Sequence, residues 1–182
     1  MADRPHVSLR RFEPGDVAAV HRWFNNPAAT ASLMEQRDSF SEAEAEAWVR
    51  RAMDDSGEDR KYAIEVEGYD EPVGFTALYG LFRQTAPELG ALIGDDVRGK
   101  GVGRRAEALT LAKAFEEFGA HRVYGRIPAR NEVAKKTVAG LGWKHEGTMR
   151  AHLRREGAPA DDCEVWGVLP DEFRAAAADL FS

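Results

Sequence analysis

The sequence predicts a mixed α/β domain built on one twisted sheet. The chain has 182 residues, which suits one domain with a sizeable core. Segments that alternate apolar and polar residues are interleaved with segments of helical periodicity. They come in the order strand, two helices, an antiparallel group of strands, helix, strand, helix and a final pair of strands. No internal repeat or long linker interrupts this order, so we expect one domain over residues 1–182.

The first segments predict one strand and two helices. VSLRRF (7–12) alternates in the manner of a strand. A helix follows from about Asp16 and ends before NNP (25–27). Ser41 and Glu44 form a capping box, which begins a second helix. The apolar stripe of that helix consists of Ala45, Trp48, Val49 and Ala52.

The middle of the chain predicts an antiparallel group of strands. KYAIEVE (61–67) alternates cleanly, and GYDEP (68–72) is a turn signal. VGFTALYG (73–80) is therefore expected to pair with the first of these strands as a hairpin. ELGALIG (88–94) is the third strand of the group.

The second half predicts alternating helices and strands. A long helix runs to about residue 118, and HRVYGRI (121–127) follows as a strand. Asn131 caps the next helix. Two further strands are expected near 143–150 and 163–169. The total is about seven strands and about four helices.

Composition excludes several classes of protein. Hydrophobic residues are 43% and charged residues 31%, as in ordinary globular proteins. No apolar run is long enough for a membrane span, and the first twelve residues lack the apolar stretch of a secretory signal. We therefore expect a cytoplasmic protein without a membrane partner. The net charge of −6 argues against a nucleic-acid partner. With Cys163 the single cysteine and no ligand spacing among the histidines, we expect no metal.

The segment VRGKGVGRR (97–105) lies between a predicted strand and a predicted helix. Its glycines are Gly99, Gly101 and Gly103, and the charges beside them are Arg98, Lys100 and Arg104. The glycines permit positive φ and let a ligand approach the backbone. The first amides of the helix lack partners inside the helix, and the helix dipole makes that end positive. The segment therefore favours a pyrophosphate-binding loop.

Two familiar phosphate motifs do not fit this segment. A Walker loop needs Ser or Thr after its lysine, and Lys100 is followed by Gly101. A dinucleotide fingerprint needs glycine at position 104, where this chain has Arg104. A nicotinamide-dependent oxidoreductase is therefore disfavoured, and a simple glycine-eased turn stays as the structural alternative.

RGKGVG (98–103) resembles the acyl-coenzyme A signature of the GNAT N-acetyltransferases, which is Gln or Arg, two residues, Gly, any residue, then Gly or Ala. The resemblance covers nearly the whole chain, from VSLRRFEPGDVAAV through ELGALIG to GLGWKHEGTMRAHLRREG and GVLPDEF. The similar branch contains ribosomal-protein N-terminal acetyltransferases and amino-sugar and antibiotic acetyltransferases. It implies the GNAT fold, whose mostly antiparallel sheet splays between strands 88–94 and 121–127.

The resemblance implies acetyl-CoA as the acyl donor, with its pantetheine arm in the gap of the sheet. The backbone of Leu92 and Ile93 is expected to hydrogen-bond the pantetheine, as an added strand would. Asn131 is expected to contact the same arm besides capping its helix, and Lys136 to reach the phosphates. The pyrophosphate is assigned to Arg98, Gly99, Lys100, Gly101, Val102, Gly103 and Arg104.

The implied reaction is direct attack of an amine on the acetyl thioester, and the amine must first lose a proton. Glu88 matches the acidic residue that this branch often carries, and it is the expected catalytic base. The alternative for Glu88 is that it is a solvated glutamate at the end of a strand without a catalytic role. Gly90 is expected to leave the face open between this carboxylate and the thioester. For the acceptor, the resemblance suggests Trp23 as a wall and Glu35 as a binding group.

The sequence departs from the family in its proton donor. Many GNAT enzymes carry a tyrosine seven residues after the helix asparagine, and this chain has Val138 there. The ribosomal-protein branch often has serine three residues after it, and this chain has Ala134. Neither side chain can protonate the departing thiolate. Water, Tyr124 or another group is left for that role.

Three functions stay open at this point. We expect an acetyl-CoA-dependent N-acetyltransferase whose acceptor is a primary amine on a small molecule, such as an amino sugar, an antibiotic or a polyamine. The second candidate acceptor is a protein N-terminus. The third function is a non-catalytic acyl-CoA-binding or regulatory module, which the missing Tyr and Ser suggest. The resemblance also allows a homodimer.

Overall fold

The computed structural model describes residues 5–30, 33, 39–154 and 159–180. Seven strands form one sheet. They are β1 (Val7–Arg10), β2 (Arg60–Val66), β3 (Gly74–Tyr79), β4 (Glu88–Ile93), β5 (Val123–Pro128), β6 (Lys144–Leu153) and β7 (Asp161–Val168). Their spatial order is β1-β2-β3-β4-β5-β7-β6. Neighbouring strands are antiparallel except β4 and β5, which are parallel. The mixed, mostly antiparallel sheet predicted from the sequence is confirmed.

Six α-helices flank the sheet in the described part of the chain. They are α1 (Val17–Phe24), α2 (Pro27–Thr30), α3 (Glu42–Met53), α4 (Val102–Ala112), α5 (Glu132–Ala139) and α6 (Pro170–Ala177). Four of them were predicted. The additional helices, α2 and α6, both start at a proline, whose fixed φ suits the first helical position. The long helix continues beyond α4 as a π-helical turn over Lys113–Glu117. None of the helices in the described ranges is long and apolar enough to cross a membrane.

The capping box before α3 forms as predicted. The backbone N–H of Glu44 donates to the Ser41 hydroxyl at 3.3 Å, and the N–H of Ser41 donates to a Glu44 carboxylate oxygen at 2.8 Å. The predicted stripe then turns inward, with Ala45, Val49 and Ala52 buried. It packs with α1 on one face of the sheet, which we call the α1–α3 face. The sheet residues there include Ala63, Phe75, Ala77 and Leu92.

Helix α4 covers the opposite face, which we call the α4 face. Its buried Thr110 hydroxyl lies 2.7 Å from the hydroxyl of Thr76 on β3. One edge of α4 packs over β1 and β2 through Val102 and Ala106. The other edge packs through Ala108 and Leu111 in a cluster that includes residues of β5, α5 and α6. The helix therefore lies under the middle of the sheet.

The sheet splits between its two parallel strands. Across the described residues of both strands, β4 and β5 pair at Glu88 and Tyr124 alone. From there the strands diverge toward Ile93 and Pro128. We call this opening the β4–β5 cleft. Its mouth lies at the C-terminal end of β4, where the glycine-rich loop begins.

Candidate active site

The glycine-rich loop leads from β4 into α4 and adopts the backbone that its glycines permit. Gly99 has φ 74° and Gly101 has φ 78°, a left-handed conformation that L side chains rarely adopt. No heavy atom lies within 4 Å of a Cβ built on either glycine. Gly101 is the N-cap of α4, and the first amides of that helix have no partner inside it. The loop therefore offers an open, positively polarised backbone to an anion.

Arg98 and Lys100 are held beside the loop by other parts of the protein. The Arg98 guanidinium donates to the carbonyl of Ala28 at 2.8 Å and pairs with Asp95 at 3.0 Å. The Lys100 ammonium donates to the hydroxyl of Tyr69 at 2.9 Å. An arriving phosphate has to compete with these neutral and charged partners for the two cations.

Arg104 reaches in the other direction, toward the ends of α5 and α6. It donates to the carbonyl of Gly140 at 3.2 Å and lies 3.5 Å from Asp179. Val102 is 1% exposed and packs in the core beneath the loop, so its side chain cannot contact a ligand. A Cβ on Gly103 would lie 3.4 Å from the Ile93 side chain, so that glycine sets the close approach of α4 to β4.

The register of β4 decides which backbone groups face the cleft. The N–H of Gly94 donates to the carbonyl of Val73, so the backbone groups of Gly94 face β3. The carbonyl of Pro87 accepts the N–H of Tyr124, so it faces β5. Backbone groups alternate along a strand. The groups of Ile93 and Ala91 therefore face the cleft, and those of Leu92 face β3. This corrects the expectation for Leu92, which contributes a side chain that is 1% exposed instead.

Glu88 starts β4 and points to the same face as Leu92. Its two carboxylate oxygens accept hydrogen bonds from Arg126, at 2.8 Å from Nε and 3.0 Å from Nη2. The Tyr124 hydroxyl donates to Oε2 of the same carboxylate at 3.3 Å. The Glu88 side chain is 18% exposed. Glu88 is thus an oriented, ion-paired carboxylate rather than a solvated strand-end residue.

Two tyrosines flank this carboxylate. Tyr79 is the β3 partner of Glu88, and its ring lies 3.0 Å from a Cβ built on Gly90. The face that the sequence predicted to be open at Gly90 is therefore filled by this ring. Burial, with the nearby carboxylates of Asp59 and Glu88, raises the pKa of Tyr79 to about 12.

Tyr124 lies on the other side of Glu88. Burial raises the pKa of Tyr124, and the neighbouring Glu88 carboxylate raises it further. Its hydroxyl therefore stays protonated at neutral pH. The guanidinium of Arg122 lies 5.8 Å from the centre of the Tyr124 ring. These contacts hold a protonated hydroxyl at the point where β4 and β5 diverge.

The two positions where the family carries a proton donor are apolar and packed. Val138 is 5% exposed and belongs to the core cluster over β5, and Ala134 packs against that cluster. Asn131 caps α5 as predicted, since its side chain accepts the N–H of Ala134 at 3.1 Å. Lys136 lies on the same helix, and no ion pair to it occurs within the described ranges.

Trp23, the predicted acceptor wall, is not brought to Glu88. Trp23 is 7% exposed and packs on Phe75, with ring centres 6.4 Å apart. One edge of Trp23 also lines a cavity of about 580 Å³ with Asp70, Glu71, Asp95 and Asp96. That cavity lies at the far end of β4, roughly 20 Å from Glu88 at about 3.3 Å per residue. Glu35 lies outside the described residues.

No sequence motif indicates three further residues of this region. Arg126 and Tyr79 meet Glu88 from neighbouring strands, and no local motif indicates such contacts. Glu107 is a carboxyl on the buried face of α4, and its position inside an apolar helical stripe was a usable signal. Among the described residues, no group of three His, Cys, Asp or Glu side chains is arranged to hold a metal ion.

A sheet that splits between two parallel strands, with a glycine-rich helix N-terminus at the open end, defines this chain as an acyl-transferring enzyme of the acetyltransferase class. The profile of the family described as acetyltransferase (GNAT) domain matches residues 6–144. The chain belongs to this family.

Relatives and solved structures agree with this assignment. The spermidine N(1)-acetyltransferase of Escherichia coli strain K12 is 26% identical over 145 residues, which are 79% of this chain and 75% of the relative. A Vibrio cholerae spermidine N-acetyltransferase, solved with CoA and spermine, superposes with a TM-score of 0.82 at 21% identity. The alignment covers 92% of this chain and 97% of that one. Mycobacterium smegmatis RimJ, solved with CoA-disulfide, has a TM-score of 0.80 at 18% identity, covering 96% and 89%. These structures share the fold.

Proposed function

We propose that this enzyme transfers the acetyl group of acetyl-CoA to a primary amine of a small polyamine. The observation that carries the proposal is the alignment of the β4–β5 cleft with the N-terminus of α4, since a donor with a pyrophosphate and a long amide-bearing arm fits both. The spermidine acetyltransferase relatives support the polyamine class. The net charge of −6 also agrees with a cationic acceptor.

The chain offers a separate set of groups to each part of the donor. The uncrowded backbone at Gly99 and Gly101 and the first amides of α4 suit the pyrophosphate, with Arg98, Lys100 and Arg104 beside them. The cleft-facing backbone groups of Ile93 suit an amide of the pantetheine arm. Asn131 and Lys136 at α5 stay proposed contacts on the β5 side. The CoA in two of the solved neighbours supports this assignment.

Glu88 is the proposed base. Its carboxylate accepts the proton that the attacking nitrogen releases as the C–N bond to the acetyl carbon forms. Arg126 pairs with the Glu88 carboxylate at 2.8 Å and holds it in one orientation beside Tyr124. Proximity of the amine and the thioester is expected to supply much of the rate.

Tyr124 is the proposed proton donor in place of the residues missing at 134 and 138. As the C–S bond breaks, the Tyr124 hydroxyl gives its proton to the departing thiolate. The hydrogen bond between Tyr124 and Glu88 then returns the proton taken from the amine to the tyrosinate. The two residues thus move one proton from nitrogen to sulfur with no net change in either side chain.

The test is a ligand series on the purified protein. Acetyl-CoA at about a hundred times its dissociation constant should raise the free energy of unfolding by roughly 2.7 kcal/mol. Free thiol should then appear with spermidine or spermine. The absence of any thermal shift with acetyl-CoA would overturn the proposed function. Thiol release with peptides alone would move the acceptor to a protein N-terminus, and a shift without release across an amine panel would indicate a binding module.

A further inference from the structure

One buried carboxyl of α4 has no role in the reaction described above. Glu107 is 8% exposed, and its Oε2 atom is buried without a hydrogen-bond partner. Burial raises the pKa of Glu107 to about 8, so the side chain is neutral at pH 7. A buried polar group without a partner destabilises a protein, and such groups are rare. This carboxyl therefore calls for a ligand.

The position of Glu107 around the helix axis aims it at the cleft. Successive residues of a helix are 100° apart. Ala106 and Thr110 pack on the β1–β3 side of the sheet, through the core there and the hydroxyl of Thr76. Ala108 and Leu111 pack on the β5 side. Glu107 lies on the helix between these two edges, and it therefore faces the line along which β4 and β5 separate.

Its level along the sheet is given by the neighbouring turns of the helix. Gly103, one turn earlier, lies against the side chain of Ile93. Thr110, about one turn later, bonds Thr76, which pairs with Ala91 on β4. Glu107 therefore lies between the levels of Ile93 and Ala91. The backbone groups of Ile93 and Ala91 are also the ones that face the cleft. At these two residues β4 has no pairing with β5 in the described part of the chain.

We propose that Glu107 binds the pantetheine arm of coenzyme A, by hydrogen-bonding one of its amides from the α4 face of the cleft. The inference rests on the proposed function, because it requires coenzyme A in the β4–β5 cleft. Glu107 acts on donor binding and takes no part in the proton transfers, since Glu88 lies on the opposite, α1–α3 face.

The chemistry of a neutral carboxyl matches this ligand. Its O–H donates to an amide carbonyl, and its other oxygen accepts from an amide N–H. The pantetheine arm is uncharged and carries two amides, so it suits a buried neutral acid. A phosphate would place a second acidic group in the same low-dielectric space, which is unfavourable. The backbone groups of Ile93 would hydrogen-bond the arm from the edge of β4, and Glu107 would hydrogen-bond it from the α4 face.

The experiment separates the two halves of coenzyme A. Binding is measured by calorimetry with coenzyme A and with 3′-phosphoadenosine 5′-diphosphate, which lacks the pantetheine arm. Glu107→Leu should weaken coenzyme A binding roughly tenfold, which is the loss of one hydrogen bond to a buried group, and leave the nucleotide unchanged. Glu107→Gln should retain coenzyme A affinity within about threefold, because an amide can also donate and accept.

Two controls keep the outcome specific. Thr110→Val removes another buried polar group of α4, next to Thr76, and should leave both affinities unchanged. Glu107→Met supplies a second apolar variant should the leucine variant fold poorly. Equal coenzyme A affinity in the leucine or methionine variant and the wild type would overturn the inference. Equal weakening for both ligands would overturn it as well. A wild-type protein that binds neither ligand would overturn the proposed function itself.

Discussion

Glu88 and Tyr124 face each other at the point where β4 and β5 pair, and the Tyr124 hydroxyl donates to Glu88 Oε2 across 3.3 Å. The pair therefore lies at the closed end of the cleft, where a ligand threaded from the glycine-rich loop would end. The pair places the proposed base beside the proposed proton donor on one face of the sheet. The catalytic proposals depend on this relationship.

The first prediction concerns the proton donor. Tyr124→Phe removes the hydroxyl and keeps the ring, so we expect kcat to fall about tenfold or more while the Kd for acetyl-CoA is unchanged. The loss is kept modest by the leaving group, since a thiol with a pKa near that of cysteine, about 8.5, departs readily. Steady-state kinetics and calorimetry measure the two quantities. Tyr62→Phe, on the α4 side of the sheet, is the control with unchanged kcat; a Tyr124→Phe enzyme of wild-type kcat contradicts the assignment.

The second prediction concerns the base. Glu88→Gln should lower kcat about 10²-fold at neutral pH, where an alkylamine with a pKa of about 10.4 is mostly protonated. The deficit should shrink as pH rises, because hydroxide then increasingly accepts the proton that the attacking nitrogen releases. A pH–rate profile of both enzymes measures this. Glu65→Gln, which changes another carboxylate of the same sheet face, should leave the profile unchanged. A deficit that stays constant with pH would remove Glu88 from the role of base.

The fold was predictable because its signals are local. Alternation gives strands, the Ser41–Glu44 box gives the start of α3, and Asn131 gives the start of α5. The local signals do not predict helices α2 and α6. Helix α2 is a single turn, and α6 begins at a proline after the last predicted strand.

The site was predictable only where a contiguous motif carries it. Gly99 and Gly101 adopt the positive φ that glycine permits, whereas Gly103 lies inside α4. Contacts between residues that are far apart in the sequence could not be predicted from it. Arg126 and Glu88 are 38 residues apart in the chain. Their ion pair depends on the register of β5 against β4, and among the described residues these strands pair at Glu88 and Tyr124 alone. The orientation of the Leu92 backbone toward β3 depends on the same register.

The third prediction tests the loop backbone. Gly101→Ala places a Cβ at φ 78°, and the left-handed conformation costs an L residue roughly 1–2 kcal/mol. We expect the free energy of unfolding to fall by about that amount, and coenzyme A binding to weaken because the first amides of α4 move. Gly57→Ala is the matched control, since its Cβ also meets no atom within 4 Å and its φ lies outside the left-handed range. Denaturant unfolding with and without coenzyme A measures both effects; equal stability of the two variants contradicts the prediction.

The last prediction follows from the buried carboxyl of α4. Glu107 has a pKa of about 8 in the folded protein, well above its ordinary value, so the folded state keeps a proton that the unfolded chain has released. Between about pH 4.5 and 8 the unfolded state binds fewer protons, and stability must therefore fall as pH rises, by about 1.4 kcal/mol per unit. Glu107→Gln cannot ionise and should lose this dependence, whereas Glu46→Gln on the exposed side of α3 should keep it. Urea unfolding at pH 5, 6, 7 and 8 measures the three slopes. Parallel slopes for the wild type and Glu107→Gln would show that Glu107 is ionised in the folded state, and thus that its carboxyl is solvated or paired.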